Sequence, residues 1–147
     1  MIRTMRREDV SDVSRIVLDS FLHSVSSHLS EQGIATFRTI ASEKAFLERM
    51  SEENTMLVYE SAGAIHGYVE VKEGRHLALL FVDPAKQRKG VGAQLVAEAL
   101  KYCTGGVVTV NASLNSVGTY LGYGFEIAGP EAELQGLRFR PMMKKTQ

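Results

Sequence analysis

The chain has 147 residues, the length of one domain, and a chain of that size buries about 70% of its unfolded surface. Seventeen Lys and Arg balance seventeen Asp and Glu, so the basic excess that grips nucleic acid or an anionic membrane is lacking. One cysteine, Cys103, excludes an internal disulfide and any CxxC metal site. The longest apolar run, residues 77–82, is far short of the roughly 20 residues of a membrane helix. The first nine residues carry charges with no apolar run behind them, which is not the pattern of a signal peptide. The expectation is a single reduced, cytoplasmic domain with no nucleic-acid or membrane partner.

Residues 2–5 read as a short strand, and Arg7-Glu8-Asp9 opens a helix with acids in its first turn. Val10, Val13, Val17 and Phe21 give that helix its apolar spacing. Residues 23–28, rich in Ser and His, read as a loop. A second helix is predicted over 30–50, capped by Ser30, with Gly33 and Ser42 as weak points. Strands follow around Met56 and Val58, over 65–72 and over 76–82, separated by the turn signals Ser61-Ala62-Gly63 and Glu73-Gly74-Arg75. The apolar run of the third of these strands suits a central position. A helix over 90–103, a strand over 107–110, a short helix over 115–121 and closing strands over 125–128 and 137–143 complete the order β-α-α-β-β-β-α-β-α-β-β. That order predicts an α/β fold with a mixed sheet, in which 76–110 forms one parallel strand-helix-strand crossover.

The chemistry concentrates in residues 79–93, where a buried strand runs into Asp83-Pro84-Ala85-Lys86-Gln87-Arg88-Lys89-Gly90-Val91-Gly92 and then a helix. A helix start offers unpaired N–H groups and a positive dipole end, and glycines let an anion approach the backbone. Lys86, Arg88 and Lys89 add three charges in four residues, so the segment suits a phosphate. GxxxxGK[ST] is absent, and GxGxxG fails because Leu95 stands where the third glycine would be.

Gln87-Arg88-Lys89-Gly90-Val91-Gly92 resembles the Q/R-x-x-G-x-G/A signature of the GNAT superfamily of N-acetyltransferases. Tyr120-Leu121-Gly122-Tyr123-Gly124-Phe125 is similar to the Y-x-x-x-G-F ending of that family's fourth helix, and the element order matches over essentially the whole chain. The resemblance implies a GNAT-type acyl-CoA N-acyltransferase fold with acetyl-CoA as co-substrate. It would bind with its pyrophosphate on the amides of Gln87, Arg88, Lys89, Gly90, Val91 and Gly92 and its pantetheine arm between strands 76–82 and 107–111. It further implies that backbone groups of Phe81 and Val82 pair with the arm and that Tyr120 protonates the departing thiolate. The family often places Asn seven residues before that tyrosine. Here the position is Ser113, flanked by Asn111 and Asn115, and Ser113 and Asn115 are the polar contacts to expect.

On the acceptor side, the turn at 73–75 would pair Glu70 with Ala78 and make Glu70 and His76 diagonal neighbours on one face. The pair suits a base and its orienter, with the carboxylate raising the imidazole pKa. His76 also stands eleven residues before Gln87, where histone-acetyltransferase-like members carry a glutamate base. His66 falls on the same face, further away. His23 and His28 lie in the segment that shapes the acceptor pocket in the family, and neither joins a metal-ligand spacing. Tyr123 and Cys103 read as packing residues. The expected activity is direct acetyl transfer from acetyl-CoA to a primary amine of a small molecule or peptide. A non-catalytic acyl-CoA sensor and a protein lysine or N-terminal acetyltransferase are the alternatives. C-terminal strands often pair between subunits in that family, so the resemblance leaves the oligomeric state open with a homodimer among the alternatives.

Overall fold

The computed structural model describes residues 1–25 and 29–146. In chain order it comprises β1 (Ile2–Thr4), α1 (Val10–Val25), α2 (Glu31–Ile40), α3 (Glu43–Met50), β2 (Asn54–Ser61), β3 (Ala64–Lys72), β4 (His76–Val82), α4 (Val91–Leu100), β5 (Val107–Ser113), α5 (Val117–Gly122), β6 (Glu126–Ile127), β7 (Ala132–Leu134) and β8 (Leu137–Lys145). One sheet holds the strands in the order β1-β2-β3-β4-β5-β8-β6, with β7 also on β8. Neighbours are antiparallel except β4 and β5, which run parallel across the expected crossover. No helix among the described residues is long and apolar enough to cross a membrane.

Alternation along the strands feeds two cores, one on each sheet face. Val58 and Tyr68 join Val13, Val17, Phe21, Phe37 and Phe46 under α1–α3. Leu57, Val69, Leu77, Val108 and Val110 join Leu95, Tyr120 and Phe125 under α4 and α5. Phe46 is fully buried and edge-on to Tyr68, with ring centroids 5.4 Å apart. At the N-terminus Arg3 bridges Asp9 at 2.8 Å and Glu60 at 3.1 Å, clasping β1, the turn that leads into α1, and β2. The hydrogen bond from Arg3 holds the Asp9 carboxyl below its usual range, against the opposing effect of burial.

Three expectations are corrected. The 30–50 helix is two helices, because Ser42 caps a new one: its Oγ accepts from Ala45 N at 3.1 Å and donates to Thr39 O at 2.9 Å. Helix α1 runs through His23 and Ser24, because Phe21 and Leu22 continue its core-facing stripe; His28 lies outside the described residues. The closing hairpin has a broken outer strand. β6 pairs with β8 at Met142 and Met143, and β7, absent from the prediction, pairs at Leu137, Arg138 and Phe139. Three exposed residues in a row carry too little periodicity to be read.

Candidate active site

Strands β4 and β5 are paired over only two rungs, His76 with Thr109 and Leu77 with Val110. Beyond them the strands part, while β4 stays on β3 and β5 stays on β8. A bulge accompanies the parting: Glu70 pairs with Leu79 and Val71 with Leu77, so Ala78 is an extra residue in β4. Bulges bend a strand and re-aim its peptide groups. Asp83 donates its N–H to His66 O at 2.8 Å. By strand alternation Phe81 also turns its peptide groups to β3, while Leu80 and Val82 turn theirs into the gap. This corrects the expectation for Phe81, whose place on the free edge Leu80 takes. The Val82 carbonyl is held from two sides, by the buried Ser20 hydroxyl of α1 and by Gln87 Nε2 at 3.1 Å.

The free edge leads into the cationic loop. Asp83 caps its first turn, accepting from Ala85 N at 3.0 Å. Arg88 and Gly90 both take left-handed backbone, at φ of 65° and 82°, and alternating handedness of this kind gathers amides around a concave anion site. Helix α4 starts at Gly90 without a side-chain cap, and its first intrahelical bond comes from Gln94 N. The amides of Val91, Gly92 and Ala93 therefore have no partner among the described residues. Lys86, Arg88 and Lys89 form no ion pair among the described residues either. Orphan amides, a left-handed cradle and uncommitted cations fit a pyrophosphate, and the unpaired β4 edge fits an amide-bearing arm.

Tyr120 comes from α5 into the core beneath β5, 6% exposed, edge-on to Tyr123 and Phe125 at 5.9 and 5.5 Å. Burial, aided by Tyr123, pushes its phenol pKa well up, so the group stays protonated and able to donate. Its hydroxyl has no hydrogen-bond partner among the described residues. Tyr123 is packing with a consequence: its hydroxyl lies over Gly92, where a Cβ would stand 2.7 Å away. Thus α5 and the anion loop touch through a position that only glycine fills comfortably.

Glu70 and His76 are not the expected pair. The bulge shifts Glu70 opposite Leu79, and it is buried, 1% exposed. Tyr68 donates to Glu70 Oε1 at 2.6 Å, and Arg49 Nε of α3 faces Oε2 at 2.8 Å as a charge contact, off the line of a hydrogen bond. Arg49 also donates to Ile40 O at 3.0 Å and lies 4.6 Å from the Phe46 ring centroid. His76 instead meets Thr109, Nδ1 to Oγ1 at 2.8 Å. Its pKa is lowered rather than raised, first by burial and then by the charge of Lys72, its cross-strand partner.

The remaining candidates serve the walls. Ser113 Oγ binds Asn115 Oδ1 at 2.9 Å and Ser116 Oγ at 2.6 Å, ordering the turn after β5. Asn115 Nδ2 donates to Ser24 O at 3.1 Å, tying that turn to the end of α1. Opposite, Thr36 donates to Gln135 O at 2.7 Å, and Gly33 packs backbone to backbone on Gly136 where a Cβ would collide. His66 meets Ser61 O at 3.2 Å and stands 3.9 Å from Asp83. His23 is exposed on α1, and Cys103 bonds Ala99 O past the far end of α4. Sequence patterns carry no signal for Ser20, Arg49 or Thr109, because each acts through a partner distant in the chain.

Among solved structures, a protein described as a GCN5-related N-acetyltransferase from Rhodopseudomonas palustris superposes with a TM-score of 0.87 at 21% identity, over 99% of this chain and 94% of that one. The PaiA N-acetyltransferase of Thermoplasma acidophilum, solved with coenzyme A, gives 0.80 at 21% identity over 99% and 98%. The acetyltransferase YncA of Salmonella typhimurium, described as putative and solved with acetyl-CoA, gives 0.71 at 20% over 100% and 94%. A comparison with curated proteins returns no match. Residues 25–146 match the acetyltransferase (GNAT) domain family, so the chain belongs to the GNAT family of acetyltransferases.

Proposed function

We propose that this chain transfers the acetyl group of acetyl-CoA to a primary amine by direct attack in a ternary complex. The observation that carries this reading is the parting of β4 from β5 after two rungs, beside a free β4 edge that ends in the uncapped, cationic start of α4. The binding of CoA by PaiA and of acetyl-CoA by YncA, on the same fold, supports it. Bound along that edge, acetyl-CoA supplies the thioester whose carbonyl carbon the amine attacks and whose sulfur leaves.

The chain's residues supply the rest. The loop amides of 88–93 and the charges of Lys86, Arg88 and Lys89 hold the pyrophosphate. Four residue steps of β4, from 78 to 82, carry the arm about 13 Å to the bulge at about 3.3 Å per step. His76 Nε2 accepts the proton that the attacking nitrogen gives up as the C–N bond forms. Tyr120 donates its phenolic proton to the sulfur as the C–S bond breaks, and solvent returns the proton from His76 to Tyr120. Glu70, sealed under Arg49 and Tyr68, holds α3 to the sheet and is not assigned a proton transfer. The one cysteine stands past the far end of α4, which favours direct transfer over an acyl-cysteine.

The test is acetyl-CoA consumption with free-thiol detection against polyamines, amino acids, aminoglycosides and short peptides. Tyr120→Phe should lose about 10²–10⁴-fold in kcat with CoA affinity kept. His76 has a depressed pKa, so it is neutral at pH 7 and the acid limb of kcat/KM should lie below about 6.5. His76→Ala should remove that limb. No turnover with any amine, together with firm CoA binding, would replace catalysis by sensing. Unchanged kcat in Tyr120→Phe would return Tyr120 to packing.

A further inference from the structure

We propose that Thr109 is the positioning residue of His76, fixing the imidazole tautomer that leaves Nε2 free to take a proton. The proposal rests on the reading of His76 as the base. Thr109 sits on β5 directly opposite His76, on one of the two rungs that hold the strands together before they part. Both side chains stand on the sheet face that carries α1–α3, because their neighbours Leu77 and Val110 point into the other core. His76 and Thr109 therefore stand on the face opposite the core that holds Tyr120.

The contact is a relay of three groups. His76 Nδ1 and Thr109 Oγ1 are 2.8 Å apart. The Thr109 hydroxyl donates to Arg75 O at 3.5 Å, and its backbone N–H donates to the same carbonyl at 2.9 Å. A hydroxyl has one proton. In the proposed relay that proton goes to Arg75 O, so Oγ1 accepts from the ring, Nδ1 carries the hydrogen and Nε2 keeps its lone pair. When Nε2 takes a proton, Nδ1–H remains bonded, and Oγ1 supports the cation in a half-buried site without rearranging.

No carboxylate fills this role. On β3, the Lys72 cation is the direct neighbour of His76. Glu70 on the same face is committed to Arg49 and Tyr68. In the turn, Glu73 is paired with Arg75 at 3.0 Å. On β8, the residue beside Thr109 is Met143, which does not titrate. A neutral hydroxyl in place of an acid leaves the imidazole with a low pKa, suited to an acceptor whose ammonium is itself easily deprotonated.

The experiment uses the full chain with uniformly ¹⁵N-labelled histidine, and His76→Gln assigns the His76 ring signals. At pH 8 the wild type should show Nδ1 protonated and Nε2 bare. Thr109→Val keeps the shape and removes the relay. It should mix the tautomers, move the His76 titration to lower pH and lower kcat about five- to tenfold, the worth of one hydrogen bond, with KM for acetyl-CoA unchanged. Thr109→Ser should restore both the ring signals and kcat. An Nε2-protonated ring in the wild type, or a Thr109→Val protein with wild-type ring signals, overturns the role of Thr109 whatever the activity. Loss of the relay in Thr109→Val with no change in turnover overturns the positioning role, whereas an unchanged rate and pH profile in His76→Ala refutes His76 as base, so the two failures are told apart.

Discussion

Gly92→Ala tests whether the anion loop and the acid helix are mechanically joined. Gly92 lies in the first turn of α4 with ordinary helical backbone, so alanine there gains about 1 kcal/mol of helix propensity. The added Cβ, however, would stand 2.7 Å from the Tyr123 hydroxyl and 3.7 Å from Val82 Cγ2. Overpacking of this kind costs about 1–3 kcal/mol, so the net loss should be about 0–2 kcal/mol, or roughly 2–4 °C in Tm per kcal/mol. Tyr123→Phe removes the offending atom and leaves the nearest ring carbon 3.9 Å away, an ordinary contact. The double variant should then keep the helix gain and exceed Gly92→Ala in stability by most of the clash. Urea unfolding of the four proteins gives the coupling, expected at about 1–3 kcal/mol. Displacing Tyr123 also shifts Tyr120, its edge-on neighbour at 5.9 Å, so kcat should fall in the single variant and recover in the double one. Additivity within about 0.5 kcal/mol would refute the contact.

Gly90 probes the anion site without touching Tyr123, since a Cβ there meets only Gln94 Nε2 at 3.8 Å while φ of 82° disfavours any side chain. Gly90→Val should reduce the thermal stabilisation by CoA, which for an intact site is about 2.7 kcal/mol at 100-fold excess over Kd; a full shift would move the site elsewhere. Arg49→Met strands the Glu70 carboxylate under α3 and should cost about 3–5 kcal/mol in urea unfolding, with Arg49→Met/Glu70→Met recovering most of it. A single variant within about 1 kcal/mol of wild type would show that Glu70 is not held by that pair.

The parts of the fold legible in the sequence are those fixed by local chemistry. Pro84, the basic run and two glycines announce a strand end and an uncapped helix start, and the structure has both. The apolar stripe of α1 and the run of β4 mark their positions directly. The helix break at Ser42 shows in the sequence only as a weak point, because a serine can cap a helix or sit within one, and the capping partners Thr39 and Ala45 are set by the fold. β7 owes its existence to β8 beside it, and Gly33 to Gly136, about a hundred residues away in the chain. Contacts of that span leave no periodic trace.

The error at Glu70 has a single cause, and it also explains the site. Pairing by simple register from the 73–75 turn is right at Lys72 with His76 and at Val71 with Leu77, and fails at Glu70, where Ala78 adds a residue. Alanine is not a bulge signal, so a count from the turn cannot detect it. The shift puts Glu70 opposite Leu79 within reach of Arg49, and so removes the carboxylate from the imidazole. It also reverses the outward alternation of β4, so that Leu80 and Val82, and not Phe81, face the gap. The residue that defeats the sequence register therefore decides which peptide groups of β4 face the open edge. With Glu70 drawn away, the ring of His76 is left to the one polar group its own rung provides, Thr109.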